Sequence, residues 1–273
     1  EEVLITSDAA EALRGAALAV SAVPTQFVRA TIGGVAGAIP ADCAVVSASK
    51  GLERKTLLRP SAILAEVVGG RGVAVISGPS HAEEVARGLP ASVVAAADEP
   101  DLAERVRDAL MGPALRIYTG GDVLGVELGA ALKNVIALAA GCADGLELGD
   151  NAKAALITRG TVELARLGEA LGARPETFWG LSGLGDLVVT CASRHSRNRA
   201  VGERLGRGEK LAEILASTEK VAEGVPTTEA VLELAGRHGV ELPIAAAVGR
   251  VLAGGDPREE VSSLMTRAPK TEA

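Results

Sequence analysis

Residues Asp122 to Gly149 read DVLGVELGAALKNVIALAAGCADGLELG. Apolar residues recur through this stretch at helical spacing, and Gly and Ala fill the gaps between them. The pattern predicts one long, nearly uncharged helix. Lys133 and Asn134 sit in its middle, with no other charge between Glu127 and Asp144. An ammonium in such surroundings is costly unless paired, because burial disfavours the charged form. A lysine that gives up its proton near neutral pH suits a general acid or base. The alternative is that Lys133 snorkels to solvent along its own stem.

Upstream, short apolar β-type runs alternate with helical stretches. The runs are Leu18–Val23 (LAVSAV), Ala44–Ser47 (AVVS), Val73–Ser77 (VAVIS), Ser92–Ala95 (SVVA) and Leu115–Thr119 (LRIYT), with helices such as Thr25–Ile39 and Leu57–Val68 between them. Val3–Thr6 (VLIT) also reads as a strand, followed by a helix cap at Ser7 or Asp8. Strands apolar on both faces that alternate with helices predict a doubly wound, Rossmann-type parallel sheet covered on both sides. Downstream the β signal stops. Helices are expected over Val123–Ala143, Asn151–Leu171, Pro175–Trp179, near Gly185–Cys191, and over Asn198–Gly206, Lys210–Ser217, Thr227–His238 and Ile244–Ala253. Gly172, Gly239 and Gly254 stand where helix C-caps belong. The Gly120-Gly121 pair marks a joint, which divides the chain into an α/β unit at 1–121 and an all-helical unit at 122–273.

Composition narrows the class. Apolar residues make up 48% of the 273 but aromatics only 1%, so the core must be built from Ala, Val, Leu and Ile. With 28 Lys and Arg against 35 Asp and Glu, the net charge is −7, which argues against a broad nucleic-acid or anionic-membrane surface but leaves room for one basic pocket. Cys43, Cys142 and Cys191 lie far apart without a CxxC pair, a pattern of reduced cytoplasmic thiols. No run has the apolar character of a membrane span, since the best one holds Lys133. No secretory leader is visible. The three histidines are scattered, without HxxxH or HExxH spacing, and no metal is expected.

Ligands of open parallel sheets bind beyond the carboxyl ends of the strands. Lys50, in the loop Ser47-Ala-Ser-Lys-Gly51, is placed there to meet an anion, or is an ordinary surface lysine. Ser80-x-x-Glu83 has the form of a capping box that starts a helix at His81. In Gly180-Leu-Ser-Gly-Leu-Gly-Asp-Leu-Val-Val-Thr-Cys191, Asp186 and Thr190 share a helix face. Asp186 either pairs with Lys133 and tunes it or caps a helix. Arg194-His-Ser-Arg-Asn-Arg199 interleaves cations with hydroxyl and amide donors. Arginine forks suit phosphate oxygens, although such a run is often only a solvated face.

The segments SAVPTQ, SKGLE, SGPSHAEEVARGLP, GVELGAALKNVIALAAGCADGLELGDNAKAALITRG, GLSGLGDLVVTC, SRNRAVG and VAEGVPTT, in this order, resemble bacterial-type NAD(P)-dependent glycerol-3-phosphate dehydrogenase over essentially the whole chain. The resemblance implies a Rossmann-type domain followed by a helical domain of the 6-phosphogluconate-dehydrogenase-like kind. It implies reduction of dihydroxyacetone phosphate to sn-glycerol 3-phosphate with NADP or NAD, in the cytoplasm, for glycerophospholipid synthesis, by a homodimer without stable membrane insertion.

Carried onto this sequence, the resemblance makes Lys133 the proton donor and acceptor, with Asn134, Asp186 and Thr190 around it. Lys50, Gly78, Ser80, Lys133, Asp186, Ser196, Arg197 and Asn198 would contact substrate. Lys50, Ala82, Arg197, Val221 and Glu223 would face the cofactor. Lys133-Asn134 followed by GLGDL and SRNR points away from 6-phosphogluconate and 3-hydroxyacid dehydrogenases, and a catalytically silent fold-mate is the non-enzymatic alternative. The family also opens with a strand, a GxGxxG-like turn and a second strand, and nothing in residues 1–273 matches them. The chain reads as starting about 60 residues into that arrangement of βαβ units, either as a fragment, which the intact later motifs favour, or as a degenerate relative. Residues 1–273 alone are therefore expected to bind dinucleotide poorly.

Overall fold

The structure is a computed structural model that describes residues 3–218, 221–269 and 271. Five strands, β1 (Leu18–Ser21), β2 (Ala44–Ser47), β3 (Val73–Ser77), β4 (Ala91–Ala96) and β5 (Leu115–Gly120), form one sheet in the order β1-β2-β3-β4-β5. Between and before them lie α1 (Ala9–Ala12), α2 (Thr25–Val35), α3 (Pro60–Val67), α4 (Ala82–Val85) and α5 (Pro100–Leu110). The helices α6 (Val123–Gly145), α7 (Gly149–Ala170), α8 (Asp186–Ala192), α9 (Arg197–Gly206), α10 (Leu211–Ala216), α11 (Gly224–Arg237), α12 (Pro243–Leu252) and α13 (Pro257–Met265) follow, with 3-10 turns at Ala36–Ala38 and Pro175–Trp179 and a π-helical turn at Leu181–Gly185.

The sheet departs from the all-parallel expectation in one place. β1, β2 and β3 run parallel, β4 runs antiparallel to β3, and β5 is parallel to β4. The cause lies in the connection after β3. Its only helix, α4, has four residues and spans about 6 Å at the α-helical rise, whereas a five-residue strand is about 16 Å long. The chain therefore turns back beside β3 instead of crossing over it. Crossovers between parallel strands are right-handed, so reversing the strand direction puts the next crossover on the opposite face. α2 and α3 cover Val45 on one face, while α5 covers Val46, Ala74, Ala95 and Ile117 on the other. Both faces of the sheet are thus covered by helices, as the sequence predicts.

Val3–Thr6 forms no strand. Val3 and Ile5 are 84% and 92% exposed, and an extended apolar run without a ladder partner has nothing to hold it in a sheet. The cap that follows is Asp8, whose Oδ1 accepts from the Ala10 and Glu11 amides. α13 is an addition to the expected helices. Its start signal is Asp256, whose carboxylate accepts from the Arg258 amide, with Pro257 at the first helical position. The expected C-cap glycines Gly172, Gly239 and Gly254 all have left-handed φ, at 91°, 66° and 100°.

α6 is the axis of the helical unit, wrapped by α7, α8, α9, α11 and α12. Contrary to the sequence expectation, it is long and apolar enough to cross a membrane, with a mean hydropathy of 1.6; what marks it as a core helix is that 89% of that window is buried inside the protein. Its glycines are spent on close packing. A Cβ on Gly141 or Gly145 would collide with the backbone of Arg199 or Glu203 in α9, and one on Gly202 or Gly206 would collide with that of Leu138 or Cys142 in α6. The two helices thus meet backbone to backbone. The core is aliphatic as composition requires: Phe178 is fully buried, whereas Phe27, Tyr118 and Trp179 are each at least half exposed.

Candidate active site

The carboxyl ends of β1, β2 and β3 face the middle of α6 and the segments flanking α8 and α9. The cleft between them has a volume of about 710 Å³, ample for a small ligand with part of a cofactor. Lys50, Ser80, Ala82, Lys133, Asn134, Thr190, Ser196, Arg197, Asn198, Val221 and Glu223 all line it. Asp186 lies just behind the wall and Gly78 at its edge, each hydrogen-bonded to Lys50.

The Lys133 side chain is only 6% exposed, so the snorkelling alternative does not hold. Its Nζ pairs with Asp186 Oδ1 and donates to Thr190 Oγ1 at 2.9 Å. Thr190 Oγ1 donates in turn to the Asp186 carbonyl at 2.6 Å, the i,i+4 relation read from the sequence. Burial, helped by the charge of nearby Lys50, lowers the Lys133 pKa to about 7 against the upward pull of Asp186. Burial alone would raise the Asp186 carboxyl, but the Lys133 and Lys50 ammonium groups outweigh it and hold it below the usual carboxylate range. Lys50 Nζ donates to Asp186 Oδ2 at 2.7 Å and to the Gly78 carbonyl at 3.0 Å. A lysine from the sheet and a lysine from α6 thus share one carboxylate, and Lys50 is no ordinary surface lysine.

Asn134 accepts from Asn198 Nδ2 at 2.9 Å, and Asn198 Oδ1 accepts from the Gly224 amide at 2.8 Å. This chain ties α6 to the starts of α9 and α11. Ser196 caps α9, accepting from the Arg199 amide at 3.2 Å. Arg197 is exposed at the first helical position of α9 and makes no ion pair or hydrogen bond among the described residues. A free guanidinium beside the free amides of a helix start is a receptor for an anion.

Gly78 has φ +146°, and a Cβ there would meet the Val93 Cα at 2.9 Å, which explains the glycine. The capping-box reading of Ser80 fails. Ser80 Oγ donates to the Gly78 carbonyl at 3.1 Å, and His81, without a side-chain cap bond, is the N-cap of α4. The tight turn at Gly78 brings that carbonyl within reach and takes the hydroxyl away from the helix. Ala82 is exposed on the cleft side of α4. Glu223 Oε1 accepts from the Thr25 amide at 3.0 Å and so caps α2 from the helical unit. Its Oε2 is buried without a hydrogen-bond partner among the described residues, and burial raises its pKa. Val221 flanks it at the cleft rim.

The structure adds two residues that spacing arguments passed over. His81 and His195 line the cleft, with ring centroids 6.1 Å apart. The signal that could have found them is adjacency: each stands next to a candidate site residue, Ser80 or Ser196. Among the described residues, no group of three or more His, Cys, Asp or Glu is placed to hold a metal.

A nucleotide-type sheet facing a helical unit, with a buried lysine in the cleft between them, defines a two-part nicotinamide-dependent dehydrogenase. The family models described as NAD-dependent glycerol-3-phosphate dehydrogenase N-terminus and C-terminus match residues 1–103 and 122–263, and the chain belongs to that family. It is 50% identical to glycerol-3-phosphate dehydrogenase [NAD(P)+] from Moorella thermoacetica, over 98% of this chain and 80% of that protein. It is 51% identical to the protein of that name from Geobacillus kaustophilus, over 97% and 78%. The crystal structure of glycerol-3-phosphate dehydrogenase from Coxiella burnetii superposes with a TM-score of 0.90 at 38% identity, covering 95% of this chain and 80% of that one.

Proposed function

We propose that the protein interconverts dihydroxyacetone phosphate and sn-glycerol 3-phosphate, with residues 1–121 as the dinucleotide-binding unit and 122–273 as the substrate unit. The observation that carries this reading is that Lys133, buried and paired to Asp186, opens on the same cleft as the unpaired Arg197. Arg197, with the amides at the start of α9 and the side chains of Ser196 and Asn198, holds the phosphate. That grip orients the carbonyl against Lys133. A nicotinamide cofactor, when bound, supplies the hydride that adds to the carbonyl carbon. Lys133 gives its proton to the oxygen, so that one hydride and one proton convert ketone to alcohol. As negative charge grows on that oxygen, the Lys50 and Lys133 ammonium groups stabilise it. Asp186 holds both lysines in position, Thr190 and Asn134 fix the Lys133 neighbourhood, and Gly78 and Ser80 shape the substrate wall.

The residues present suit the nicotinamide end of a dinucleotide. Glu223 Oε2 is a buried acceptor without a partner among the described residues, and Ala82 presents only a methyl group to the same cleft. Lys50, Ala82, Arg197, Val221 and Glu223 would hold the cofactor, NADP or NAD. Membership of the family is what supports a cytoplasmic setting and a homodimer as part of this proposal. The product suits glycerophospholipid synthesis.

The test is oxidation of NADPH by the full-length protein in the presence of dihydroxyacetone phosphate, with and without Lys133→Met. Turnover that falls by about 10²–10⁴ in the variant is expected for loss of a general acid. Full turnover in the variant would remove Lys133 from this role.

A further inference from the structure

Between Ser80 and Ala82, placed above against substrate and cofactor, stands a side chain to which the mechanism gives no part. His81 lines the cleft together with Lys133, Thr190, Ser196 and Arg197. Its ring stands 6.1 Å from that of His195, inclined at 54°. One imidazole thus comes from the loop after β3 and the other from the turn before α9. His81 Nε2 is buried and has no hydrogen-bond partner among the described residues. Buried polar atoms without partners are rare in folded proteins, and in a cleft a ligand can complete them. Burial, and then the charge of Lys133, hold the ring below the usual histidine range, with Asp186 and the Val189 carbonyl pulling the other way. At neutral pH it is an uncharged ring with one donor and one acceptor.

The substrate proposed above has three polar features. The phosphate has Arg197 and the start of α9, and the carbonyl oxygen has Lys133. The hydroxyl on the carbon beside the carbonyl remains. With the ring N–H directed to the Val189 carbonyl, the unpartnered Nε2 is an acceptor; a hydroxyl can donate to it, whereas a phosphate only accepts and calls for a cation. His81 sits within the electrostatic reach of Lys133 and beside His195, the neighbour of Ser196, and so lies near the reacting centre. We propose that His81 contacts the substrate at this hydroxyl and makes the site selective for an α-hydroxy ketone phosphate. The inference rests on the reaction proposed above.

The test compares kcat/KM of the full-length protein for dihydroxyacetone phosphate and for acetol phosphate, in which a methyl replaces the hydroxymethyl group. A site built to bond a hydroxyl rejects the analogue that lacks it. His81→Phe keeps a ring of similar size without nitrogen and is expected to shrink the parent's preference for the hydroxylated ketone about tenfold, the effect of losing one neutral hydrogen bond. His81→Gln, which keeps a donor and an acceptor, is expected to retain more of the preference. Should His81→Phe fail to fold, His81→Leu is read by the same ratio. A preference unchanged in the apolar variant, or an equal loss on both ketones, overturns the role of His81. A parent protein that reduces neither ketone overturns the reaction itself, so the two failures are distinguishable.

Discussion

Lys133 is an ammonium in a hydrocarbon helix, and the free energy of that placement is what makes it useful. Its pKa falls to about 7 because burial outweighs the attraction of Asp186. In the proposed reaction the protonated form donates to the ketone. Reduction is therefore expected to decline above about pH 7, approaching tenfold per pH unit, while oxidation of the alcohol, which needs the neutral amine, rises over the same range. Rate profiles in both directions between pH 6 and 9 measure this, and two flat profiles would contradict it. Stability follows the same group. The unfolded lysine titrates near 10.5 and binds its proton where the folded one has lost it, so this residue makes the fold more stable as pH rises from 7 to 10.5. Much of this was legible beforehand: a lone lysine in a Gly/Ala helix, and an Asp-x-x-x-Thr repeat with one helix face. The pairing of Lys50 with Asp186 was not, because they are 136 residues apart and meet only when the sheet docks on α8.

At the scale of elements, the crossing of α6 and α9 sets the distance between the Lys133 amine and the Arg197 guanidinium proposed to hold the phosphate. Lys133 lies two turns before the glycine seam on α6, and Arg197 lies about one turn before Gly202 on α9. Gly202→Ala would drive a methyl into the Leu138 carbonyl. Such overpacking costs about 1–3 kcal/mol. The helices must separate to accept it, so KM for the phosphorylated ketone should rise together with a fall in melting temperature. Thermal unfolding and steady-state kinetics on the same preparation check this, and unchanged values for both would contradict the seam. The sequence displayed these glycines but not their partner, since spacing alone says that a helix has a thin face and not which helix meets it. The β4 reversal was hidden for a similar reason. SGPSHAEEVARGLP looks long enough for a crossover, and only the shortness of α4 and the tight turn at Gly78 decide that the chain doubles back.

Across the whole molecule, the polar contacts that bind the α/β unit to the helical unit include Lys50 to Asp186, Glu223 to the Thr25 amide, and Glu127 to the start of α3. The last is the most enclosed. Glu127, 3% exposed on α6, accepts from Arg59 at 2.7 Å, the Ser61 amide at 2.8 Å and the Ser61 hydroxyl at 2.6 Å. Glu127→Ala would leave these donors without their carboxylate, at a cost of about 2–3 kcal/mol, seen as a lower denaturation midpoint. No change in that midpoint would mean that the contact is incidental. The α/β-then-helical architecture was readable from the change in hydrophobic period after residue 121. The fit between the two units was not, because it rests on single long-range bonds.

The central claim is that one small molecule spans Lys133 and Arg197. The most direct measurement is a crystal structure of the full-length protein with sn-glycerol 3-phosphate. It should place the secondary hydroxyl oxygen within about 3.2 Å of Lys133 Nζ, hydrogen-bond distance, and the phosphate against Arg197 and the first amides of α9. A phosphate seated on Lys133, or a ligand that touches one of the two residues with the other turned away from it, would contradict the claim.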